Sequence, residues 1–152
     1  MFVINIDMLV EETTIALSGA ETPCMNLLDV VEQFGENERS FEDILSREGT
    51  SLVSANIAST RSTHARDFIL IQCEDGSSLV VTPEHKIYVT NKKSWERAEI
   101  INSTCSLMTS KNSSVKLTST HNISDQVSSK VHALTVVPTQ CYFANNILVR
   151  ND

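Results

Sequence analysis

The sequence has no long hydrophobic run and no excess of positive charge. No apolar stretch reaches the roughly 18 residues that a helix needs to cross a bilayer, which argues against a membrane partner. Twelve lysine and arginine residues against nineteen aspartate and glutamate residues give a net charge of −7. The chain therefore lacks the cationic surface that binds a phosphate backbone, and we do not expect it to bind nucleic acid.

The amino terminus also lacks the parts of a secretory signal. Its first residues, MFVINID, are apolar, but they have no basic start, no long hydrophobic stretch and no small-residue cleavage site. We therefore expect a cytoplasmic protein. With 152 residues, 41% of them hydrophobic and 20% charged, the composition is that of a folded globular chain. The length fits one domain over residues 1–152, which we expect to be a monomer.

Closely spaced cysteines are missing as well. The four cysteines are far apart and form no CxxC motif: Cys24, Cys73, Cys105 and Cys141. A chain of this size needs no disulfide bonds to fold, so we expect four reduced and mostly packed thiols. The four histidines do not complete the ligand spacing of a zinc site, and we expect neither a metal nor another cofactor.

Short β-branched runs predict strands in the first part of the chain. Residues 3–6 and 13–17 have this character, and the composition of residues 18–23 is typical of a turn. In residues 25–34 the apolar side chains instead recur every three or four positions before Gly35, which predicts one short helix. Residues 41–45 are expected to add a further helical turn.

The clearest local signal is a β-hairpin in the middle of the chain. Residues 68–73 and 79–82 are apolar runs that flank a turn containing Asp75-Gly76, and Asp-Gly tolerates the positive φ that a tight turn requires. After Pro83, residues 86–90 predict another strand. Trp95 follows and is expected to anchor the core.

The composition changes between residues 102 and 130, where thirteen of 29 residues are serine or threonine. Because this segment has few large apolar side chains, their burial can hardly offset the conformational entropy that ordering the segment would cost. We therefore predict a long and partly mobile loop. Residues 130–137, 141–144 and 147–149 again predict strands, the last two as a closing hairpin. The predicted class is all-β, mainly strands with one short helix.

Three features in this pattern bear on chemistry. Thr82-Pro83-Glu84-His85 leaves a strand, the closing hairpin includes Tyr142 to Val149, and Asn151 is one residue from the end of the sequence. Together they resemble the Hint module shared by inteins, bacterial intein-like domains and hedgehog autoprocessing domains. The resemblance spans nearly the whole chain, through residues 13–30, 79–89, 94–100 and 131–151. It is to a minimal version, because only the serine- and threonine-rich segment stands where homing inteins insert an endonuclease.

The resemblance implies an all-β horseshoe whose first and last strands are adjacent, with self-processing chemistry at the two junctions. In the family, the Thr and His of the TxxH motif bond to the scissile peptide before the first residue, and Thr82 and His85 match them. The side-chain amide of the last Asn attacks its own backbone carbonyl and cuts the peptide after it. Asn151 matches that residue, with Asn151–Asp152 as the scissile bond.

This sequence departs from the family at several of these positions. Met8 stands where a Cys or Ser nucleophile is expected, and a thioether has no proton to lose. Arg150 replaces the penultimate His, although its guanidinium can still hydrogen-bond and polarise a carbonyl. Ala133 and Gln140 replace an Asp and a His of the last two blocks. Because the carboxylate of Asp152 cannot accept an acyl chain, splicing is not expected.

These observations favour a single-turnover self-processing domain that cleaves after Asn151, without an N-terminal acyl shift or ligation. Its partners would be the flanking segments of its own precursor, and residues 1–7 are either such a segment or part of the first strand. Whether Met8 is natural or a replacement stays open. Cys141 and His132 are interpreted as packed strand residues rather than as a substitute nucleophile and a base. The alternatives are a degenerate scaffold that acts as a folded linker or interaction module, and an unrelated small β domain.

Overall fold

The computed structural model describes residues 2–3, 13–18, 24–27, 29–32 and 41–150. Within these residues the chain forms twelve strands: β1 Phe2–Val3, β2 Thr14–Ala16, β3 Cys24–Asn26, β4 Phe41–Glu48, β5 Ser51–Cys73, β6 Ser78–Val81, β7 Lys86–Val89, β8 Ser94–Arg97, β9 Ser106–Met108, β10 Ser114–Val137, β11 Cys141–Ala144 and β12 Ile147–Arg150. Residues 27 and 29–32 are helical. The predicted all-β class is confirmed. None of the described helical residues belongs to a helix long and apolar enough to cross a membrane.

All strands join one antiparallel sheet, in the order β3-β2-β11-β12-β7-β9-β10-β1-β6-β5-β4, with β8 beside β7. The long strands β10 and β5 also pair with each other, in addition to their neighbours in this order. As a result β5, β6, β1 and β10 form a ring in which each strand is hydrogen-bonded to the next. The two-residue strand β1 lies in this ring between β6 and β10.

The first and last strands of the predicted module lie close together. Strand β2 pairs with β11 at Ile15 and Ala144, and β11 pairs with β12 over its full length. One strand therefore separates β2 from β12, a distance of roughly 10 Å at the usual spacing of neighbouring strands. Strands β2 and β12 therefore lie in the same part of the sheet, whereas β1 lies in the ring with β6 and β10.

Strict alternation of side chains buries both faces of the closing hairpin. In β12, Ile147 and Val149 pack into the main apolar cluster, whereas Leu148 packs into a smaller cluster on the other face. In β11, Tyr142 belongs to the main cluster and Phe143 to the smaller one. This two-sided burial explains why the hairpin sequence is almost continuously apolar.

The predicted central hairpin is confirmed. Strands β5 and β6 pair from Ile69 with Val81 to Gln72 with Ser78. Gly76 has a φ of 89°, and the Asp75 carboxylate accepts a hydrogen bond from the backbone N–H of Ser77. The Asp-Gly pair therefore makes the turn as expected, because glycine adopts a positive φ without steric cost.

Both helix predictions need correction. The helix predicted over residues 25–34 is replaced at its start by β3, and the described helical residues are 27 and 29–32. Residues 41–45 are not helical but belong to β4, which pairs with β5 from Phe41 to Glu48. Pairing with a long neighbouring strand outweighed the weak local helix signal of residues 41–45.

The loop predicted over residues 102–130 is also wrong for most of its length. Residues 106–108 form β9, and residues 114–130 belong to β10. Strand β10 pairs with β5 from Leu117 to Val137, and β5 pairs with β6 on its other side over residues 69–72. The neighbouring strand supplies the backbone hydrogen bonds of this serine- and threonine-rich segment, and threonine favours extended geometry.

Candidate functional site

The Thr82–His85 segment is a tight turn between two strands. It follows β6 and precedes β7, and the backbone N–H of His85 donates to the carbonyl of Thr82 at 3.1 Å. The segment after β8 holds the turn from outside, since Ala98 N–H donates to the carbonyl of His85 at 2.8 Å and Glu99 N–H to that of Pro83 at 3.0 Å. The turn is thus fixed by the backbone on both sides.

The side chains of this turn are buried. Thr82 is 3% exposed and His85 is fully buried. Ile87 and Val89 of β7 belong to the main apolar cluster. His85 precedes Ile87 by two residues, as Ile87 precedes Val89, so it is on the same side of the alternating pattern. The two residues that match the TxxH motif therefore lie at the edge of the main core, where little water reaches them.

The last described strand ends beside this turn. Strand β12 pairs antiparallel with β7 through Val149 and Ile87. Arg150 follows Val149, and Lys86 precedes Ile87, so β12 ends next to the start of β7, directly after His85. Two segments that are far apart in sequence, the TxxH turn and the residue before Asn151, are brought together by this pairing.

Arg150 itself faces away from the imidazole. Its Nη2 donates to Oε1 of Gln140 at 3.3 Å, and its guanidinium carbon lies 5.9 Å from the centre of the Trp95 ring. Leu148, two residues earlier, packs on the same side in the smaller cluster with Trp95, opposite Val149. The structure therefore separates the charge of Arg150 from the face of the sheet that carries His85.

Trp95 is not the core anchor that the sequence predicts. It is partly buried and packs against the smaller cluster beside Tyr88, with the ring centres 5.2 Å apart in an edge-to-face arrangement. The indole is amphipathic, and on an edge strand it covers the smaller cluster while one face meets the guanidinium of Arg150.

Met8 and Asn151 lie outside the described residues. Phe2 pairs with Val81 on one side and with His132 on the other. Residues 2–3, which the sequence left as either a flanking segment or a first strand, are therefore strand residues next to the beginning of the TxxH turn.

Ala133, which stands where the resembled family has an Asp, belongs to an apolar cluster. Ala133 is 4% exposed and packs with Phe68, Leu70, Val80 and Val131. Its neighbour His132 is also buried, and its Nδ1 shares a 2.9 Å hydrogen bond with the hydroxyl of Ser62. Burial, and to a smaller extent the charge of Lys130, lowers the pKa of His132 from its ordinary 6.5. This supports the interpretation of His132 as a packed, neutral residue.

The cysteines are free thiols. Cys73, Cys105 and Cys141 are buried and Cys24 is exposed. Cys141 lies on the Trp95 side of the closing hairpin, where its thiol donates to the carbonyl of Arg47 at 3.4 Å and its carbonyl accepts from the hydroxyl of Ser46 at 2.7 Å. These contacts are those of a packed strand residue. In the described part of the chain, no group of three or more His, Cys, Asp or Glu side chains could hold a metal ion.

One residue that the sequence did not single out, Asn145, connects the closing hairpin with β2 and β6. Asn145, in the turn of the closing hairpin, accepts hydrogen bonds at its Oδ1 from the backbone N–H of Thr14 at 2.6 Å and from the hydroxyl of Thr14 at 3.1 Å. Its Nδ2 donates to the carbonyl of Ser78 at 2.9 Å. Asn145 and Asn146 both have positive φ, at 44° and 72°. The Asn-Asn pair between two apolar strands agrees with the predicted hairpin turn, whereas the contacts of the Asn145 side chain with Thr14 and Ser78 depend on the tertiary structure.

Comparison with solved structures assigns the fold. The chain is similar to the bacterial intein-like domain of Clostridium thermocellum, at 16% identity and a TM-score of 0.74, over 91% of this chain and 94% of that one. It is also similar to the DnaB intein of Synechocystis sp. PCC 6803, at 19% identity, a TM-score of 0.71 and coverage of 93% and 99%. For the PabCDC21-1 intein the values are 15%, 0.73, 92% and 95%.

No protein-family model and no curated protein sequence matches this chain. The structural similarity therefore carries the assignment. The chain has the Hint fold of inteins and bacterial intein-like domains, as its motifs predicted.

Proposed function

We propose that this chain is a self-processing domain that cuts the peptide bond after Asn151 and neither forms an N-terminal thioester nor ligates its flanking segments. The observation that carries the proposal is the antiparallel pairing of Val149 with Ile87, by which β12 ends next to the buried His85. Val149 packs on the face of β12 opposite Leu148 and Trp95, and Asn151 comes two residues after Val149 in the sequence.

The proposed step is an intramolecular displacement. The side-chain nitrogen of Asn151 attacks the backbone carbonyl carbon of the same residue, a C–N bond forms, and the peptide bond to Asp152 breaks. One proton leaves the attacking amide nitrogen and one is gained by the departing amine, and no water is consumed. In this proposal His85 supplies the proton to the leaving nitrogen, and its burial keeps water from competing.

The N-terminal junction lacks its nucleophile in this proposal. Val81, the residue before Thr82, pairs with Phe2 of β1, the strand that precedes Met8 in sequence, and this pairing supports a retained scaffold at the first junction. A methionine thioether cannot give up a proton and form an acyl intermediate at that junction. Chemistry is therefore confined to the bond after Asn151.

A fusion of the chain to a small folded protein after Asp152 tests the proposal. We expect slow release of the partner and a processed chain that is lighter, by one water, than the product of hydrolysis, because cyclisation leaves a succinimide. Mass spectrometry distinguishes the two. The Asn151→Ala fusion should stay intact, and His85→Gln should slow release by about 10²-fold or more. A wild-type fusion that stays intact for days at neutral pH contradicts the proposal.

Two observations favour a second candidate, a scaffold without covalent chemistry that acts as a folded linker or interaction module. Ala133 fills an apolar cluster where the family has a carboxylate, and Arg150 contacts Trp95 on the face opposite His85. This candidate predicts an intact fusion with a cooperatively folded domain.

A further inference from the structure

In the part of the chain that the structure describes, two arginines on the face of the sheet opposite His85 have no carboxylate partner: Arg47 and Arg150. Their guanidinium carbons lie instead 5.6 Å from the centre of the Tyr88 ring and 5.9 Å from the centre of the Trp95 ring. The two rings pack edge-to-face on each other. In a chain with a net charge of −7, this face therefore holds two positive charges that no acidic side chain among the described residues neutralises.

Arg47 is held in place by its surroundings. Its Nε donates to Oδ1 of Asn112 at 3.0 Å, and Nδ2 of Asn112 donates to the carbonyl of Thr50 at 2.8 Å. The Nε contact and the Tyr88 ring fix the guanidinium, while its Nη groups donate to no described residue. An arginine that is already ordered in this way loses less side-chain entropy when it binds a ligand.

Arg47 lines an open cavity of about 420 Å³. Pockets that bind small organic molecules have volumes of roughly 300–1,000 Å³. An inorganic ion would fill only a small part of this cavity and leave the rest to water. The size of the cavity therefore favours an organic ligand.

The lining of the cavity indicates the chemistry of that ligand. Its large apolar surfaces come from four side chains: Tyr88, Trp95, Pro138 and Leu148. Thr139 also lines the cavity, but its hydroxyl is held by the buried Ser46 hydroxyl at 2.6 Å, so the guanidinium of Arg47 is the charged donor of the lining. A planar guanidinium matches a carboxylate, and the rings and aliphatic side chains match a flat apolar body.

Glu48 lines the same cavity and opposes an anion there. Its side chain is exposed, so water and salt screen its charge, whereas Arg47 is half-buried against Tyr88. The positive charge of Arg47 therefore dominates the cavity, and Arg150, which contacts the Trp95 ring, adds to it. Removing the Glu48 charge should strengthen the binding of an anion.

We propose that this cavity is a binding site for a small organic carboxylate with a flat apolar body. The guanidinium of Arg47 binds the carboxylate, and the rings of Tyr88 and Trp95 contact the body. The site lies on the face of the sheet opposite His85 and is separate from the candidate functional site. The proposal does not depend on cleavage after Asn151.

Trp95 reports on the cavity directly, because it is the only tryptophan of the chain. The test titrates the full chain with benzoate and follows the Trp95 emission and its quenching by acrylamide. We expect a saturable change in emission and lower quenching when benzoate is bound. Benzamide, which has the same shape without the charge, and acetate, which has the charge without the ring, should each bind about tenfold more weakly or less.

Variants at the two charged residues of the lining test the assigned contacts. Arg47→Met keeps the aliphatic stem and should raise the Kd for benzoate by about tenfold or more, because a charge-assisted hydrogen bond is lost. Glu48→Gln should lower the Kd, and this variant leaves Arg47 in place, so the test does not depend on how Arg47→Met folds. Arg66→Met removes an exposed arginine of β5 that does not line the cavity, and should leave the Kd unchanged.

Three results would overturn the proposal. The first is a Trp95 signal that does not change with benzoate. The second is equal binding of benzoate and benzamide, or an unchanged Kd in both Arg47→Met and Glu48→Gln, since the rings would then bind without the guanidinium. The third is binding of inorganic phosphate as tight as that of benzoate, because the cavity would then be a general anion site.

Discussion

Arg150 donates a hydrogen bond to Gln140 across 3.3 Å, from Nη2 to Oε1. These are two of the positions at which the sequence departs from the Hint pattern, where the resembled family has histidines. In the fold they are neighbours on the closing hairpin, and the two replacements contact each other. At these two positions the guanidinium of Arg150 is held by the side-chain amide of Gln140 and by the Trp95 ring.

Restoring a nucleophile at position 8 should reveal whether the first junction retains its geometry. In the Met8→Cys variant we expect a thioester with the preceding residue, cleaved when a small thiol is added and detected by mass spectrometry. Thr82→Ala in the same background should reduce thiol cleavage, because Thr82 lies at the start of the buried turn beside β1. Met8→Ser, which forms an ester that reacts poorly with thiols, is the matched control. If no thiol-dependent cleavage occurs with Met8→Cys, the junction is not intact.

Asn145 should contribute to stability through its side chain. Asn145→Gly keeps the positive φ but removes the hydrogen bonds to Thr14 and Ser78, so we expect a loss of about 1–3 kcal/mol in the free energy of unfolding, measured with urea. Lys93→Gly is the control, since Lys93 has a φ of 51° and glycine relieves the strain there. An unchanged free energy of unfolding in Asn145→Gly contradicts the role assigned to these bonds.

His132 should make stability depend on pH in one direction. Its pKa is lowered in the fold by burial and by Lys130, so the unfolded chain binds a proton more readily than the folded chain. The contribution of His132 to the free energy of unfolding is complete above pH 6.5, the ordinary pKa of histidine. It is lost as the pH falls towards the lowered pKa of His132 in the fold. We expect the free energy of unfolding to fall from pH 7 to pH 5.

Urea titrations at several pH values measure this slope. His132→Gln should flatten it relative to the parent chain, whereas His64→Gln, a change at an exposed histidine of β5, should leave the slope as it is. A parent and a His132→Gln variant with equal slopes would show that another group carries the pH dependence.

The thiols should differ in reactivity. Cys24 is exposed, whereas burial and the nearby Asp75 carboxylate raise the pKa of Cys73 to about 12. Because the thiolate is the reactive form, iodoacetamide at pH 8 should modify Cys24 first and leave Cys73 unmodified until the chain unfolds. Peptide mass mapping measures the order, and Cys24→Ser should abolish the fast phase. Fast modification of Cys73 in the folded chain would contradict its burial.

The serine- and threonine-rich segment can be tested by amide hydrogen exchange. Residues 117–124 pair with β5, so this segment should exchange more slowly than an unstructured peptide of the same sequence. Exchange in residues 117–124 as fast as in an unstructured peptide would support the loop predicted from composition.

Local sequence chemistry determined the two hairpins and the motif between them. Asp75-Gly76 fixes a turn because only a few residues accept a positive φ, and the apolar runs on both sides leave strand as the only pattern that fits. The turn from Thr82 to His85 follows from Pro83 ending the strand. These signals involve a few neighbouring residues and need no distant partner, so they could be predicted.

Tertiary structure decided the features that depend on a distant partner. Residues 41–48 and 114–130 are strands because β5 is long enough to pair with both, and no local pattern reports the length of a partner strand. The contact of Arg150 with Gln140 and Trp95, like the approach of β12 to His85, follows from the strand order. The sequence by itself therefore determined which residues turn and which extend. Long-range hydrogen bonding decided which of them meet, because pairing energy depends on residues that the chain brings together only by folding.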